Sequence, residues 1–491
     1  NKTMGQGGFQ EVEQMNLFKD MVCYQEEVRD PSRMAEVLNR VIEKAFRGSA
    51  PAQINIPRDY WTQVIDIELP PIVRFERQGG GKEAIENAAK LLSKAKFPVI
   101  LSGAGVVLGG AIDECKKLAE KLDAPVCNGY QHNDSFPGSH PLAVGPLGYN
   151  GSKAAMELIS KADVVLALGT RLNPFSTLPG YGIDYWPKKA TIIQVDMNPD
   201  RIGLTKKVSV GICGDAKQVA PQILDKLSSD AGNTGREERK NLIHKTKSAW
   251  LQTLSGLDHE EDDPGTVWNK EARERDKDRM SPRQAWRAIQ DALPQDAIIS
   301  SDIGNNCAIG NAYPTFEKPR KYLAPGLFGP CGYGFPAILG AKIGCPDTPV
   351  VGFAGDGAFG ISMNEMSSCA REEWPAITMV IFRNYQWGAE KRNSILWFDD
   401  NFVGTELDPE LSYAKVANAC GLKGVTCKTM EETTKAIKQS CEDQKKGITT
   451  FIEIILNQEL GEPFRRDAMK KPVKVAGIKK EDMKKQPSLI S

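Results

Sequence analysis

None of the eleven cysteines stands in a C-x-x-C pair, so the chain has no zinc-knuckle spacing, and their odd number and scatter frame no disulfide scaffold. That usage fits a reducing compartment, the cytoplasm. Neither sign of charge is in excess. The 63 basic and 63 acidic side chains cancel, which removes the electrostatic footprint of a polyanion such as nucleic acid. No apolar run approaches the roughly 20 residues of a bilayer-spanning helix, so no membrane partner is expected. An initiator Met is also missing, and NKTMGQGGFQ reads as neither a signal peptide nor an ordinary start.

What is present is a series of short apolar runs. They stand at 97–102 (FPVILS), 163–168 (DVVLAL), 191–195 (TIIQV), 297–300 (AIIS), 350–353 (VVGF) and 377–382 (ITMVIF), each followed by a loop and a helical pattern. Continuous apolar strands alternating with helices predict parallel sheets flanked by helices, an α/β fold. A length of 491 residues suits about three domains of roughly 150 each. Leu69-Pro70-Pro71 closes a first piece, and Gly79-Gly80-Gly81 precedes a new helix. Residues 229–280 are charged, with an acidic run at 260–263, and read as a surface linker. Ser281-Pro282 then starts a helix that stripes Trp286, Ile289 and Leu293 toward a core. The expected organisation is 1–72, 78–228, the linker 229–280, 281–462, and a solvated basic tail 463–491.

The stretch VVGFAGDGAFG at 350–360 ends a buried strand in a carboxylate between two glycines. Gly-Asp-Gly alone is an ordinary turn. It becomes a site if a second oxygen ligand lies nearby, and Asn384, after the strand 377–382, supplies one. A helix over 364–372 fits between them, which brings two parallel strand ends side by side. A carboxylate and an amide oxygen there suit Mg2+, a hard cation that shares its oxygens with phosphate. A second glycine cluster, SGAGVVLGG at 102–110, imitates a dinucleotide fingerprint, but its spacing is GxGxxxG, one residue too wide. A tight strand-to-helix turn is the expectation there.

Gly-Asp-Gly followed by an Asn closing the next strand resembles the binding signature of thiamine-diphosphate enzymes. SDIGNN at 301–306, GPCGYGFPAILGAK at 329–342, GTRLNPF at 169–175, IIQVDMNPDRIG at 192–203, GGFQEVEQMNLFKDMVCY at 7–24 and APAQINIPRDYW at 50–61 resemble further parts of the family. The resemblance implies a three-domain architecture whose first, pyrimidine-binding domain is incomplete. Its 1–72 piece is the second half, 78–228 the central Rossmann-like domain, and 281–462 the diphosphate domain. The glutamate that activates the cofactor belongs to the other half, so the chain reads as N-terminally truncated by about a hundred residues. Thiamine diphosphate and Mg2+ are the implied cofactors. Asp356, Asn384 and the Gln386 carbonyl are the implied metal ligands. Gly304, Asn305, Asn306, Gly329, Cys331, Gly355, Gly357 and Ala358 complete the implied cofactor contacts. Arg383 stands where the family has a first Asn, and Cys331 where acetolactate synthases carry a large apolar support for the bent cofactor.

WGAEKRNSILWFDDNFVGTEL at 387–407 is crowded with charge, including Glu390, Lys391, Arg392, Asp399 and Asp400. It resembles family members that act on sulfonated aldehydes. The implied reaction is conversion of sulfoacetaldehyde and phosphate to acetyl phosphate and sulfite, with an acetolactate-synthase-like 2-oxoacid enzyme as the alternative. Lys391 and Arg392 are the candidate anion-binding residues, or else solvated loop charges. His132, one of only four histidines, is a candidate proton shuttle or a surface residue. The resemblance also implies a homodimer or homotetramer, since such enzymes build each site from two chains.

Overall fold

The computed structural model describes residues 5–71, 76–256, 276–326, 328–371, 373–397 and 401–459. The acidic run 260–263, Asp399, Asp400 and the basic tail 463–491 lie outside these residues. The chain divides into two compact units, Asn1–Gln78 with Asn198–Asp200, and Gly79–Met197 with Arg201–Ser491.

The first unit holds strands β1 (Tyr24–Glu27) and β2 (Ala52–Asn55), paired in parallel and joined by helix α1 (Met34–Gly48). Parallel pairing forces a helical crossover rather than a tight turn. Val28, Val37 and Val41 are its buried core.

The second unit contains two six-stranded sheets, all of whose strand pairs are parallel. Helix α2 (Lys82–Lys94) leads into β3 (Pro98–Ser102), helix α3 (Ala104–Gly109), β4 (Val126–Asn128), β5 (Ala143–Pro146), β6 (Val164–Leu168), β7 (Thr191–Asp196) and β8 (Val210–Cys213). Their order is β5-β4-β3-β6-β7-β8. The order reverses between β3 and β6, a topological switch point where a doubly wound sheet leaves a crevice. Here the crevice is filled. The Gly105 amide donates to the Gly169 carbonyl at 2.8 Å, and that of Gly103 to the Leu168 carbonyl at 3.1 Å. A Cβ on Gly105 would lie 2.7 Å from the Gly169 Cα. The widely spaced glycines serve loop-on-loop packing, as the tight-turn reading expects.

The stretch 229–280 is more than a linker. It contains helix α4 (Arg236–Gly256), anchored by a side chain that charge counting alone assigns to solvent. Arg239 is 1% exposed. Its guanidinium donates to the carbonyls of Lys96 (2.7 Å), Leu122 (2.9 Å), Asp123 (2.9 Å), Gly232 (2.6 Å) and Thr234 (2.9 Å). A planar, five-donor group satisfies carbonyls that the chain ends of several elements leave over.

Helix α5 (Pro282–Ala292) begins in a capping box, with Ser281 Oγ accepting from the Gln284 amide at 3.1 Å and Gln284 Oε1 from the Ser281 amide at 2.9 Å. It is followed by β9 (Ile298–Ser301), helix α6 (Asn305–Ile309), β10 (Tyr322–Leu323), β11 (Val350–Gly355), helix α7 (Asp356–Ser362), β12 (Thr378–Arg383), helix α8 (Gly388–Trp397), helix α9 (Tyr413–Ala419), β13 (Lys423–Cys427) and β14 (Thr450–Ile455). The helix expected over 364–372 is a short one, Met366–Cys369, reached from α7 through a 3-10 turn at Met363–Glu365. The Asp356 carboxylate in the first turn of α7 is favourable against the exposed amides there. The sheet order β10-β9-β11-β12-β14-β13 reverses between β9 and β11, so the turns after those strands face a second switch point. Trp286, 1% exposed, packs between Phe353 and Phe382 with ring centroids 4.9 and 5.3 Å away. Among the described residues no helix is long and apolar enough to cross a membrane.

Arg239→Met should lower unfolding free energy by at least about 3 kcal/mol, since each buried carbonyl left without a donor costs roughly 1–3 kcal/mol. Arg239→Lys should recover only part of this, because an ammonium has three donors. Urea unfolding followed by circular dichroism measures both, and a loss within about 0.5 kcal/mol would make Arg239 an ordinary surface residue.

Candidate active site

The second switch point gathers the turns that end β9, β11 and β12. After β9 the chain passes through Asp302, buried at 1%. Its Oδ1 accepts from the amides of Ile303 (2.7 Å) and Gly332 (3.1 Å), and Oδ2 from that of Gly334 (2.6 Å). Burial pushes its pKa up, and the same amides hold it back. The carboxylate therefore ties the turn of Gly304, Asn305 and Asn306 to the loop of Gly329 and Cys331. Gly304 has φ +135°, a region that L side chains rarely enter. Asn306 is held from behind, its carbonyl accepting from the Trp286 indole at 2.7 Å. Cys331 is half-buried, and burial, Asp302 and Glu390 in turn raise its thiol pKa.

Register places Gly355 opposite Phe382 on β11 and β12, which sets Asp356 beside Arg383 and Asn384 at adjacent strand ends. Asp356 is 1% exposed, Asn384 2% and Gln386 3%. Burial lifts the Asp356 carboxyl to about 6, against the lowering effect of Arg383 and of the Tyr385 and Gly357 amides. The Asn384 amide has two settings. With its NH2 inward it donates to Asp356 Oδ1 at 3.2 Å and to the Gln386 carbonyl at 3.3 Å, while its oxygen accepts from Asn306 at 3.2 Å. With its oxygen turned inward, a carboxylate, an amide and a carbonyl oxygen would converge, a donor set that suits a hard cation. Asn305 Oδ1, Asn306 Oδ1 and Gln386 Oε1 are buried without a hydrogen-bond partner among the described residues, so the site offers more polar capacity than those residues use. These residues fit a metal-bound diphosphate.

Helix α8 covers this corner. A Cβ on Gly357 would lie 2.8 Å from the Trp387 ring, and one on Gly388 would lie 3.1 Å from Asn305 Cβ. Arg392 is four residues beyond Gly388, hence on the same helix face as the Asn305 contact, and is 5% exposed. It is not a solvated loop charge. Lys391 is committed elsewhere: its Nζ pairs with Glu406, lies 3.4 Å from Gln458 Oε1 and sits 5.1 Å from the Phe402 ring centroid. Beside these runs an open groove of about 420 Å³ lined by Trp387, Glu390, Asn393, Ser394, Val403, Gly404 and Thr405. Gly355 and Ala358 flank Asp356 on β11 and α7.

His132 is not brought into this cluster by its contacts. Its loop docks on 311–322 instead. Asn133 Nδ2 donates to the carbonyls of Asn311 (2.8 Å) and Pro314 (3.0 Å), and Asp134 Oδ2 accepts from the Lys321 amide at 3.0 Å. The ring is half-buried, so it is not the surface histidine of the second expectation. Burial first and the Arg171 charge second press its pKa down to about 4. Two buried participants escaped the sequence reading, Asp302 and Glu453, and Arg383, noted there only as a departure from the family's first Asn, is a third buried member.

A buried, neutral His132 makes stability depend on pH. The unfolded chain takes up this proton near pH 6.5, whereas the folded one resists until about 4. Its contribution is therefore full above about 6.5 and lost as pH falls through that window. Melting temperature followed from pH 7 to 4 should drop less steeply in His132→Gln than in the wild type. Parallel curves would show that His132 titrates normally.

The description "Thiamine pyrophosphate enzyme, central domain" matches residues 85–223, and "Thiamine pyrophosphate enzyme, C-terminal TPP binding domain" matches residues 302–454. A probable sulfoacetaldehyde acetyltransferase of Rhizobium meliloti (strain 1021) is 78% identical over 486 residues, 99% of this chain and 82% of that protein. The sulfoacetaldehyde acetyltransferase of Roseovarius nubinhibens is 76% identical, over 99% of this chain and 81% of that protein. A probable acetolactate synthase large subunit of Methanocaldococcus jannaschii is 28% identical, over 89% of this chain and 73% of that protein. With its switch-point geometry and these matches, the chain belongs to the thiamine pyrophosphate enzyme family.

Proposed function

We propose that the full-length protein converts sulfoacetaldehyde and inorganic phosphate to acetyl phosphate and sulfite, using thiamine diphosphate and Mg2+. The observation that carries the reading is the convergence of Asp356 Oδ1, the Asn384 amide and the Gln386 carbonyl at adjacent strand ends, in a chain whose relatives at 45–78% identity bear one activity name. Relatives named acetolactate synthase stand at 26–28%, which makes a 2-oxoacid reaction the second reading.

Asp356, Asn384 and the Gln386 carbonyl would hold Mg2+, and Gly304, Asn305, Asn306, Gly355, Gly357 and Ala358 would surround the diphosphate. Gly329 and Cys331 would lie along the rings. Thiamine diphosphate supplies a carbon nucleophile and an electron sink for breaking a bond beside the aldehyde carbon. This chain's residues provide the setting. The buried oxygens orient the cation, and the Trp387 ring closes over Gly357 and excludes water there. Arg392, on the α8 face turned to Asn305, is the cation placed to receive a tetrahedral anion. Sulfonate and phosphate are both such anions, whereas pyruvate presents a flat carboxylate, and a guanidinium fork serves all three with different geometry. Lys391, paired with Glu406, holds α8 against the segment 401–407. In this reading each site is completed by a second chain, so the protein works as a homodimer or homotetramer in the cytoplasm.

The direct test is sulfite release from sulfoacetaldehyde by the full-length protein, with and without phosphate; pyruvate consumption without sulfite would favour the 2-oxoacid reading. Asp356→Ala and Asn384→Ala should each abolish Mg2+-dependent retention of thiamine diphosphate on a desalting column. Retention at the wild-type level in either would remove that residue from the metal site. Arg392→Ala should keep the cofactor but lose roughly ten- to a hundred-fold in kcat/KM for sulfoacetaldehyde, the worth of about 1.5–3 kcal/mol for a charged hydrogen bond. A change in phosphate saturation alone would assign Arg392 to the acceptor, and no change to either would end its role.

A further inference from the structure

The groove of about 420 Å³ runs between helix α8 and the returning segment 403–405. Its floor is fixed by backbone pairing. The Trp387 amide donates to the Thr405 carbonyl at 2.8 Å and the Leu407 amide to that of Tyr385 at 2.9 Å, with Gln386 bridged to Glu406 between them. Trp387, Glu390 and Ser394 all line the groove. Their spacing of three and four residues puts them on one side of α8, while Gly388 and Arg392 share the side of the Asn305 contact. The groove reaches the cofactor corner, because Trp387 lies over Gly357 and Glu390 is near enough to raise the Cys331 thiol.

Thr405 is 3% exposed, and its Oγ1 finds no hydrogen-bond partner among the described residues. A buried hydroxyl in that state is stabilised by a ligand atom that bonds it. Glu390 is exposed and is the only carboxyl group in the lining. The reaction proposed above has a use for both. Sulfur leaves the two-carbon unit as sulfite, taking the bonding pair with it. The unit then carries a hydroxyl on the former aldehyde carbon and a methylene on the other. It becomes an acetyl group when a proton leaves that oxygen and one reaches the methylene carbon. No outside oxidant is needed, since the aldehyde carbon is oxidised as the other is reduced. We propose that Glu390 is a catalytic residue that carries this proton from oxygen to carbon, with the Thr405 hydroxyl bonded to the oxygen. The carboxylate takes the hydroxyl proton and then, as the acid, gives it to the methylene, so it begins and ends each turnover ionised. No other side chain in the lining can take up and return a proton in this way. The inference rests on the function proposed above and adds the residue for a step that function requires.

Sulfite and acetyl phosphate are followed through the first turnover by rapid quenching of the full-length protein loaded with thiamine diphosphate and Mg2+. In Glu390→Gln one equivalent of sulfite per site should still appear at the wild-type rate. Acetyl phosphate should form about a hundredfold more slowly, the lower end of what general acid–base catalysis contributes. Glu390→Asp should recover part of that loss. Calorimetry should show an unchanged affinity for thiamine diphosphate in both variants. Thr405→Val should weaken binding of 2-hydroxyethanesulfonate, an unreactive alcohol with its hydroxyl at the aldehyde position, by about three- to tenfold, the worth of one hydrogen bond. Sulfite and acetyl phosphate slowed in equal proportion in Glu390→Gln, or acetyl phosphate formed at the wild-type rate, overturns the proposal. Binding of 2-hydroxyethanesulfonate that is indifferent to Thr405→Val overturns the placement of the oxygen. A wild type that binds the alcohol through Thr405 but releases no sulfite overturns the reaction proposed above and with it the role of Glu390, a failure distinct from the others.

Discussion

A carboxylate at the closed end of a buried strand must be answered by positive charge or by donated hydrogens, and Asp356 is answered by both. Desolvation alone disfavours its ionised form, and the lift of its pKa to about 6 shows that burial wins over its neighbours. The guanidinium of Arg383 cannot neutralise the corner, because Glu453 shares it. One positive charge stands between two negative ones, all three side chains at 2% exposure or less. A divalent cation at the convergent oxygens would reverse that imbalance, and the phosphates it carries would in turn balance the cation. The buried net charge is thus a preparation for binding more than a source of stability.

The same economy runs through the neighbouring turn. Buried oxygens on Asn305, Asn306 and Gln386 that find no partner among the described residues cost on the order of 1–3 kcal/mol each while unsatisfied. They stay aimed inward because the scaffold behind them is rigid. Trp286, wedged between Phe353 and Phe382, fixes the Asn306 carbonyl, and the space for its ring exists only because residue 310 is glycine: a Cβ there would come within 2.0 Å. Asp302 fixes the facing loop through two of its amides, those of Gly332 and Gly334. Preorganisation of this kind removes the cost of ordering the site when a ligand arrives.

Two switch points of the same doubly wound topology have opposite fates in this chain. Between β3 and β6, glycines at 103, 105 and 169 let two loops touch backbone to backbone, and the amides of Gly103 and Gly105 are spent on the carbonyls of Leu168 and Gly169. Between β9 and β11, the turns carry buried Asp and Asn side chains, and among the described residues polar groups are left to spare. Topology provides the crevice in both cases. Local residue choice determines whether it is packed or kept for a ligand.

The α/β class, the six main strands and the adjacency of Asp356 and Asn384 were legible in the sequence. Apolar runs, turn glycines and the rule of parallel crossovers are local signals with a defined period. Strands β4 and β10, of three and two residues, and the edge strand β13 were not legible, since runs so short or so exposed carry no periodic signature. The fates of individual charges were equally hidden. Arg239, Lys391 and Arg392 are basic residues in polar surroundings along the chain and Arg383 ends an apolar run, yet one anchors a helix, one pairs with Glu406, one is buried on α8 and one clamps two carboxylates. Composition and spacing establish that a long cation is present. Only the fold decides what surrounds its head group, because burial and hydrogen-bond partners come from residues tens to hundreds of positions away, as the 116-residue separation of Arg239 from Asp123 illustrates.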